Sequence, residues 1–235
     1  MKTAVIAAMK PELDELVSRL EGRSTVERAG FAFHEGRIAG HSTVLVLSGV
    51  GKVNAAVGTA LMIEDYRPDA VINTGVAGGF DPNLRPGDIV LSTETRHHDA
   101  DVRPFGYEMG QVPGMPASYP ADSRLLELAR DIHPGDGSVR VQEGLVVSGD
   151  LFIHDPAEVE RIREHFPEVL AGEMEAAAVA QTCYLFGIPY LVARSVSDVV
   201  GGGENAMEYE EFLPLAAARS VDFVTKMLDA MEEQR

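Results

Sequence analysis

The chain predicts an α/β fold, a sheet sandwiched between helices. Two observations carry that reading. Short apolar runs alternate with helical stretches along the whole length, and turn signals such as Gly40, Gly49 and Arg85-Pro86-Gly87 separate successive segments. No linker, low-complexity tract or internal repeat breaks the alternation, so residues 1–235 are expected to form one domain.

The elements follow in order. Residues 4–8 are apolar and run straight into helix-start chemistry, as a buried strand does. Pro11 suits the first turn of the next helix, and Leu13, Leu16, Val17 and Leu20 recur at helical spacing until Gly22 ends it. Segments 31–39 and 42–48 read as strands about a turn at Gly40. Gly49 and Gly51 break the run, and 52–66 continues as an alanine-rich helix. Residues 70–73 are another buried strand, ending in a glycine cluster, and 88–95 alternates as a strand after the turn Arg85-Pro86-Gly87. The aperiodic stretch 99–120 reads as a long functional loop. Helices at 121–132, 156–165, 174–186 and 212–232 and strands at 139–148 and 190–197 complete the chain.

Bulk properties narrow the function. A net charge of −17, from 20 basic and 37 acidic residues, repels phosphate backbones and anionic lipid, so nucleic acid and membrane are not expected partners. Cys183, the single cysteine, lies in an apolar helical run and reads as a structural thiol in a reducing compartment. The first apolar run, 3–9, is too short for a signal peptide core followed by a cleavage region, and no segment approaches the roughly 20 apolar residues that span a bilayer. A cytoplasmic protein is expected.

Several segments could carry chemistry. The glycines in Gly75-Val76-Ala77-Gly78-Gly79 follow a buried strand, where a backbone can approach a ligand closely, though a tight turn explains them as well. Asp198 ends an apolar strand; a partly desolvated carboxyl there can stay protonated and act as a general acid, or it can simply cap a loop. Strand alternation puts Arg194 and Asp198 on one face and Ser197 on the other. Glu173 and Glu175 flank Met174 at a helix start, where the dipole favours an ionised carboxylate able to accept from vicinal hydroxyls. Helix stabilisation alone would also account for them. Among Glu12, Asp14, Glu15 and Glu21, only position above the sheet edge favours Glu12. Arg96-His97-His98-Asp99-Ala100-Asp101 lacks diagnostic ligand spacing and reads as loop or interface packing, not as a metal site.

Taken in order, IAAMKPELDEL, LSGVGKVNAA, VINTGVAGG, GDIV, HHDADVRPFGYEMGQVPG, VVSGDLFI, GEMEAAAVA and VARSVSDV resemble the 5′-methylthioadenosine/S-adenosylhomocysteine nucleosidases of the purine nucleoside/uridine phosphorylase superfamily. The resemblance covers nearly the whole chain. It implies a single-domain three-layer sandwich with a mixed central sheet, a cytoplasmic homodimer, no cofactor and no metal. It also implies hydrolysis of the N-glycosidic bond of 5′-methylthioadenosine and S-adenosylhomocysteine, and of 5′-deoxyadenosine, releasing adenine in methionine salvage.

By motif position, Glu12 would activate water, Asp198 would protonate adenine N7 with support from Ser197, and Glu175 would anchor the ribose hydroxyls. Glu173, Met174 and Arg194 would serve the ribose and water region. Phe152 would stack on the purine and Ile153 would meet it through its backbone. Met9, Val50, Ala77 and Gly78 would line the pocket and Tyr209 would cover it. Val102, Phe105 and Pro113 would reach the neighbouring subunit's 5′-thio pocket. Val76 stands where some relatives carry a serine, and the glycine-rich stretch 201–205 matches loosely. The two catalytic carboxyls are expected to have pKa values driven apart, Asp198 raised and Glu12 lower. A phosphorylase, an aminodeoxyfutalosine nucleosidase and a non-catalytic nucleoside-binding protein remain the competing readings.

Overall fold

A computed structural model describes residues 1–135, 139–201 and 205–234. The chain runs β1 (Lys2–Ala7), α1 (Lys10–Ser18), β2 (Glu21–Arg28), β3 (Phe31–Ile38), β4 (His41–Leu47), α2 (Lys52–Tyr66), β5 (Ala70–Gly79) and β6 (Ile89–His97). It continues through a 3₁₀ turn (Arg103–Phe105), β7 (Tyr119–Pro120), α3 (Ser123–Arg130), β8 (Val141–Ser148), α4 (Pro156–His165), β9 (Val169–Glu173), α5 (Ala176–Phe186), β10 (Tyr190–Val199) and α6 (Asn205–Glu233).

All the strands join one mixed sheet in the order β10-β6-β8-β9-β5-β1-β4-β3-β2, with β7 on β6. Because β10 also pairs with β5, the five strands β5, β10, β6, β8 and β9 close on themselves, while β1, β4, β3 and β2 extend as an open wing.

The three layers follow from two-sided strand burial. Along β1, Ala4 and Ile6 enter one apolar cluster with Ala55 and Met62 of α2 and Val179 of α5. Val5 and Ala7 enter another with Leu13 and Leu16 of α1, Leu125 of α3 and Phe223 and Met227 of α6. A strand covered on both faces needs apolar residues at successive positions, which is why 4–8 and 70–73 read as runs rather than alternations. A smaller cluster seats α4, through Val159 and Ile162, against Phe80, Val147 and Phe166. Cys183 is fully buried in the first cluster, and burial pushes its thiol pKa up, as a structural cysteine requires. Among the described residues no helix is long and apolar enough to cross a membrane.

Most elements shift by one or two residues at their ends, β7 lies inside the stretch read as a loop, and five differences are larger. Helix α1 stops at Ser18, and Gly22 lies inside β2 instead of ending the helix. Strand β2 is exposed at every position, so no apolar pattern marks it; antiparallel pairing with β3 holds it. The cluster 75–79 is not a turn but the continuation of β5, since Gly78 and Gly79 pair with Gly172 and Ala171 of β9. Strand β9, short and ending in Gly172-Glu173, displaces the start of α5 from 174 to Ala176. Helix α6 begins at Asn205, well before 212, with Pro214 inside it. Residues 202–204 of the loosely matched glycine stretch fall outside the described residues.

Candidate active site

Strands β1, β5 and β10 are adjacent and parallel, so their C-terminal ends open on the same edge of the sheet. That edge is the floor of a cleft of about 600 Å³, part of it open to solvent. Met9 and Glu12 follow β1, Val76, Ala77 and Gly78 end β5, and Arg194, Ser197 and Asp198 come from β10. Val50 arrives from the turn after β4, Glu173, Met174 and Glu175 from the β9–α5 junction, Phe152 and Ile153 from the loop after β8, and Tyr209 from α6. Every own-chain residue that the family resemblance places in the site lines this one cleft.

Glu12 sits in the first turn of α1 and is 1% exposed. The Met9 N–H donates to its Oε2 at 3.3 Å. Burial raises its pKa from 4.5 to about 7, opposed by Arg194 and by the backbone N–H groups of Met9, Val76 and Ala8. Glu12 is thus raised above the ordinary carboxylate value, because desolvation outweighs one cation and the amides. The side chain of Val76 offers no hydroxyl, and its backbone N–H is one of the groups that bond Glu12.

Glu175 is the residue preceding α5, not a residue of its first turn, and Glu173 ends β9. Glu175 Oε1 accepts from the Gly51 N–H at 2.9 Å, and Arg194 Nη2 lies 3.6 Å from its Oε2. Burial first, and the neighbouring Glu173 second, push its pKa up to about 7, so the helix end does not hold it low as expected. Glu173 is the better-satisfied carboxylate. It accepts from the N–H groups of Glu175 and Ala176 at 2.9 Å, from Ser148 Oγ, and from Arg194 Nη2 at 2.5 Å.

Asp198 is 2% exposed and accepts from Ser197 Oγ at 2.7 Å through Oδ1. Simple alternation would separate these two side chains. The β10–β5 register slips between Val196 and Asp198, and this bulge turns both into the cleft. Gly78 lets Val200 pack close, since a Cβ there would lie 2.9 Å from Val200 Cγ1, while Asp198 Oδ2 at 3.4 Å would be in ordinary contact.

Across the mouth, Phe152 meets Tyr209 edge-to-face at 5.5 Å between centroids, and the Tyr209 hydroxyl points at Met9 Sδ, 3.3 Å away. After burial, Glu12, Asp198 and Glu175 all push the Tyr209 pKa upward, so one phenol feels all three carboxylates. Phe152 remains 41% exposed, an aromatic face free to stack. Its loop is pinned: Asp99 accepts from Lys52 Nζ at 2.5 Å and from the Asp150 N–H at 3.0 Å, and Asp150 accepts from the Lys52 N–H at 2.7 Å.

Val102, Phe105 and Pro113 do not line the cleft of their own chain, and Phe105 is 82% exposed. Ala8, Leu151, Gly172 and Val200 line it without having been singled out. They are small or apolar wall positions whose residue types carry no chemical signal. His97 and His98 are buried behind it, His97 Nε2 sharing a hydrogen bond with Gln181 Oε1 at 2.9 Å, and burial lowers both imidazole pKa values. Among the described residues no group of three or more His, Cys, Asp or Glu could hold a metal ion.

The phosphorylase superfamily model matches residues 2–229, so fold and site define a member of that superfamily. A 5′-methylthioadenosine/S-adenosylhomocysteine nucleosidase from Chromohalobacter salexigens is 51% identical over 227 residues, covering 97% of this chain and 96% of that one. The crystal structure of the like-named nucleosidase from Neisseria meningitidis, in complex with methylthio-immucillin-A, matches with a TM-score of 0.94 at 45% identity, over 97% of this chain and 99% of that one. That of the nucleosidase from Colwellia psychrerythraea, in complex with adenine, matches with a TM-score of 0.95 at 41% identity, over 98% and 95%. The chain belongs to the 5′-methylthioadenosine/S-adenosylhomocysteine nucleosidase family.

Proposed function

We propose that this protein hydrolyses the N-glycosidic bond of 5′-methylthioadenosine and S-adenosylhomocysteine, releasing adenine and the 5-thioribose, with 5′-deoxyadenosine as a further substrate. The observation that carries the proposal is the convergence of Glu12, Glu175 and Asp198, from three separate elements, on one buried cleft with an aromatic mouth.

Departure of the purine leaves positive charge on the ribosyl ring, and two carboxyls on either side of the bond can serve the two halves of the reaction. Asp198, held by Ser197, gives its proton to N7, so the C1′–N9 pair leaves on a neutral base. Glu12 takes a proton from the water that attacks C1′. With a pKa near 7, its two protonation states are both populated at neutral pH, which suits a base that must accept and then return a proton. Glu175 accepts hydrogen bonds from the ribose hydroxyls, Met174 packs beneath the sugar, and Phe152 and Ile153 hold the purine.

Water is favoured over phosphate as the nucleophile. Among the described residues Arg194 is the only cation lining the cleft, and Glu173 and Asn73 already bond it at 2.5 and 2.6 Å. An oxyanion beside Glu12 would find a carboxylate and no arginine fork. The same reading takes 1–235 as one catalytic unit in the cytoplasm, working as a homodimer in which Val102, Phe105 and Pro113 complete the partner's 5′-thio pocket. Incubation with methylthioadenosine in phosphate-free buffer should lower the ultraviolet absorbance as adenine appears. Release only after phosphate is added would overturn the hydrolytic reading, and no release at all would leave a binding protein. A monomer in size-exclusion light scattering would remove the shared-pocket part.

A further inference from the structure

We infer that Asn73 is a positioning residue: its side-chain amide holds the Arg194 guanidinium so that one amino group faces Glu12 instead of swinging to the Glu173–Glu175 pair. The inference rests on the reading of Glu12 as the base. Asn73 is fully buried in β5, between Ile6 of β1 and Val192 of β10. Its Nδ2 donates to the Ile6 carbonyl at 3.1 Å and its Oδ1 accepts from Arg194 Nη2 at 2.6 Å. A flipped amide would set oxygen against the carbonyl and NH₂ against the guanidinium, so the two bonds fix its orientation.

Arg194 Nη2 is thus shared between Asn73 and Glu173, and the planar guanidinium carries the position of Nη1 with it. Nη1 occupies the space that a side chain on residue 75 would need. A Cβ on Gly75 would lie 2.4 Å from Arg194 Nη1 and 3.2 Å from Glu12 Oε1, and the φ of +146° there suits glycine. Cation and carboxylate therefore lie against the same bare stretch of backbone. Two carboxylates compete for the cation on the other side, Glu173 Oε2 at 2.5 Å and Glu175 Oε2 at 3.6 Å. Without the amide acceptor nothing neutral balances their pull.

The groups around Glu12 make this matter. Arg194 and Asp198 face the cleft from β10, Tyr209 from α6 and Glu175 from the start of α5, and Arg194 is the only cation among them. Loss of its contact removes the main charge opposing protonation of Glu12.

The test compares the wild type with Asn73→Ala and with Thr74→Ala. Thr74 is the next buried residue of β5, and its Oγ1 bonds Ser220 Oγ of α6 at 2.6 Å, away from Arg194. Two readouts are taken: the acid limb of kcat/KM with methylthioadenosine, and the infrared titration of the Glu12 carboxyl, identified by its loss in Glu12→Gln. Asn73→Ala should move both upward by about half a pH unit or more, with kcat at neutral pH falling several-fold and KM changing less. Thr74→Ala should lower thermal stability and move neither. An unmoved Glu12 titration in Asn73→Ala, or an equal movement in Thr74→Ala, overturns the inference. Should Asn73→Ala not fold, Asn73→Ser keeps a hydroxyl for the Ile6 carbonyl, loses the reach to Arg194, and is read the same way. The infrared titration needs no turnover, so a protein that releases no adenine would sink the proposed activity and still decide the role of Asn73.

Discussion

The cleft floor and the loop from 99 to 118 both carry residues suited to a nucleoside, yet the chain finishes one and leaves the other open. On the floor, Glu12, Arg194, Ser197 and Asp198 are each no more than 2% exposed; Arg194 bonds Asn73 and Ser197 bonds the Ala77 carbonyl of β5, while Met9 holds Glu12 and Ser197 holds Asp198. In the loop, Phe105 is 82% exposed and Pro113 faces solvent. The floor rests on parallel strands whose ends must coincide; the loop is tied at its base, by Asp99 to Lys52 and by Glu108 to Arg96, while its 3₁₀ turn at Arg103–Phe105 has exposed side chains. Chemistry is placed where the backbone is over-determined, and the less constrained region is the one suited to meeting another molecule.

Breaking the floor should have the largest effect. Asp198→Asn removes the proposed proton donor and Glu12→Gln the proposed base, and each should lower kcat by about 10²–10⁴ with the fold intact, checked by steady-state kinetics and circular dichroism. Near-normal turnover in either variant would cancel its assigned role.

The same region should also be where activity costs stability. Glu12 has a folded pKa of about 7 against the usual 4.5, so the folded state binds the extra proton. The associated stability is fully present below about pH 4.5 and is lost as pH rises through 7. Glu12→Gln has no charge to bury, so between pH 4 and pH 8 it should gain on the wild type by on the order of 3 kcal/mol. Denaturant titrations at the two pH values measure it, and a gap that does not widen would place Glu12 in a wetter environment.

The pinned purine loop should respond less. Asp99→Ala frees the Asp150 N–H and Lys52 and should cost about 1 kcal/mol, seen as a several-fold higher KM with kcat less affected. Least affected should be the stability of Phe105→Ala, within about 0.5 kcal/mol in denaturant melts, because its ring touches water and not a core. If the proposed shared pocket exists, that variant should still bind 5′-alkylthio substrates more weakly; unchanged KM values would return Phe105 to plain surface.

How far the sequence revealed these regions depends on what each residue needed. Strands buried on both faces, such as β1 and β4, were legible because their apolar run is their signal. β2 was not, because EGRSTVER is exposed throughout and owes its form to a neighbour. The site's chemistry was legible through local segments and their resemblance to a family, while its electrostatics were not. The pKa of Glu12 depends on a burial that only tertiary structure supplies, and the joint orientation of Ser197 and Asp198 depends on a bulge that alternation denies. Asn73 was passed over as one more buried strand residue, since its meaning lies in two partners far along the chain.

The fate of the attacking oxygen tests the central claim most directly. Turnover of methylthioadenosine in ¹⁸O-labelled water, with inorganic phosphate also present and borohydride trapping of the sugar before its C1 oxygen exchanges, should give methylthioribitol labelled at C1 and free adenine, with no sugar phosphate. Formation of the sugar 1-phosphate, with no label on carbon, would contradict the account of a carboxylate-activated water.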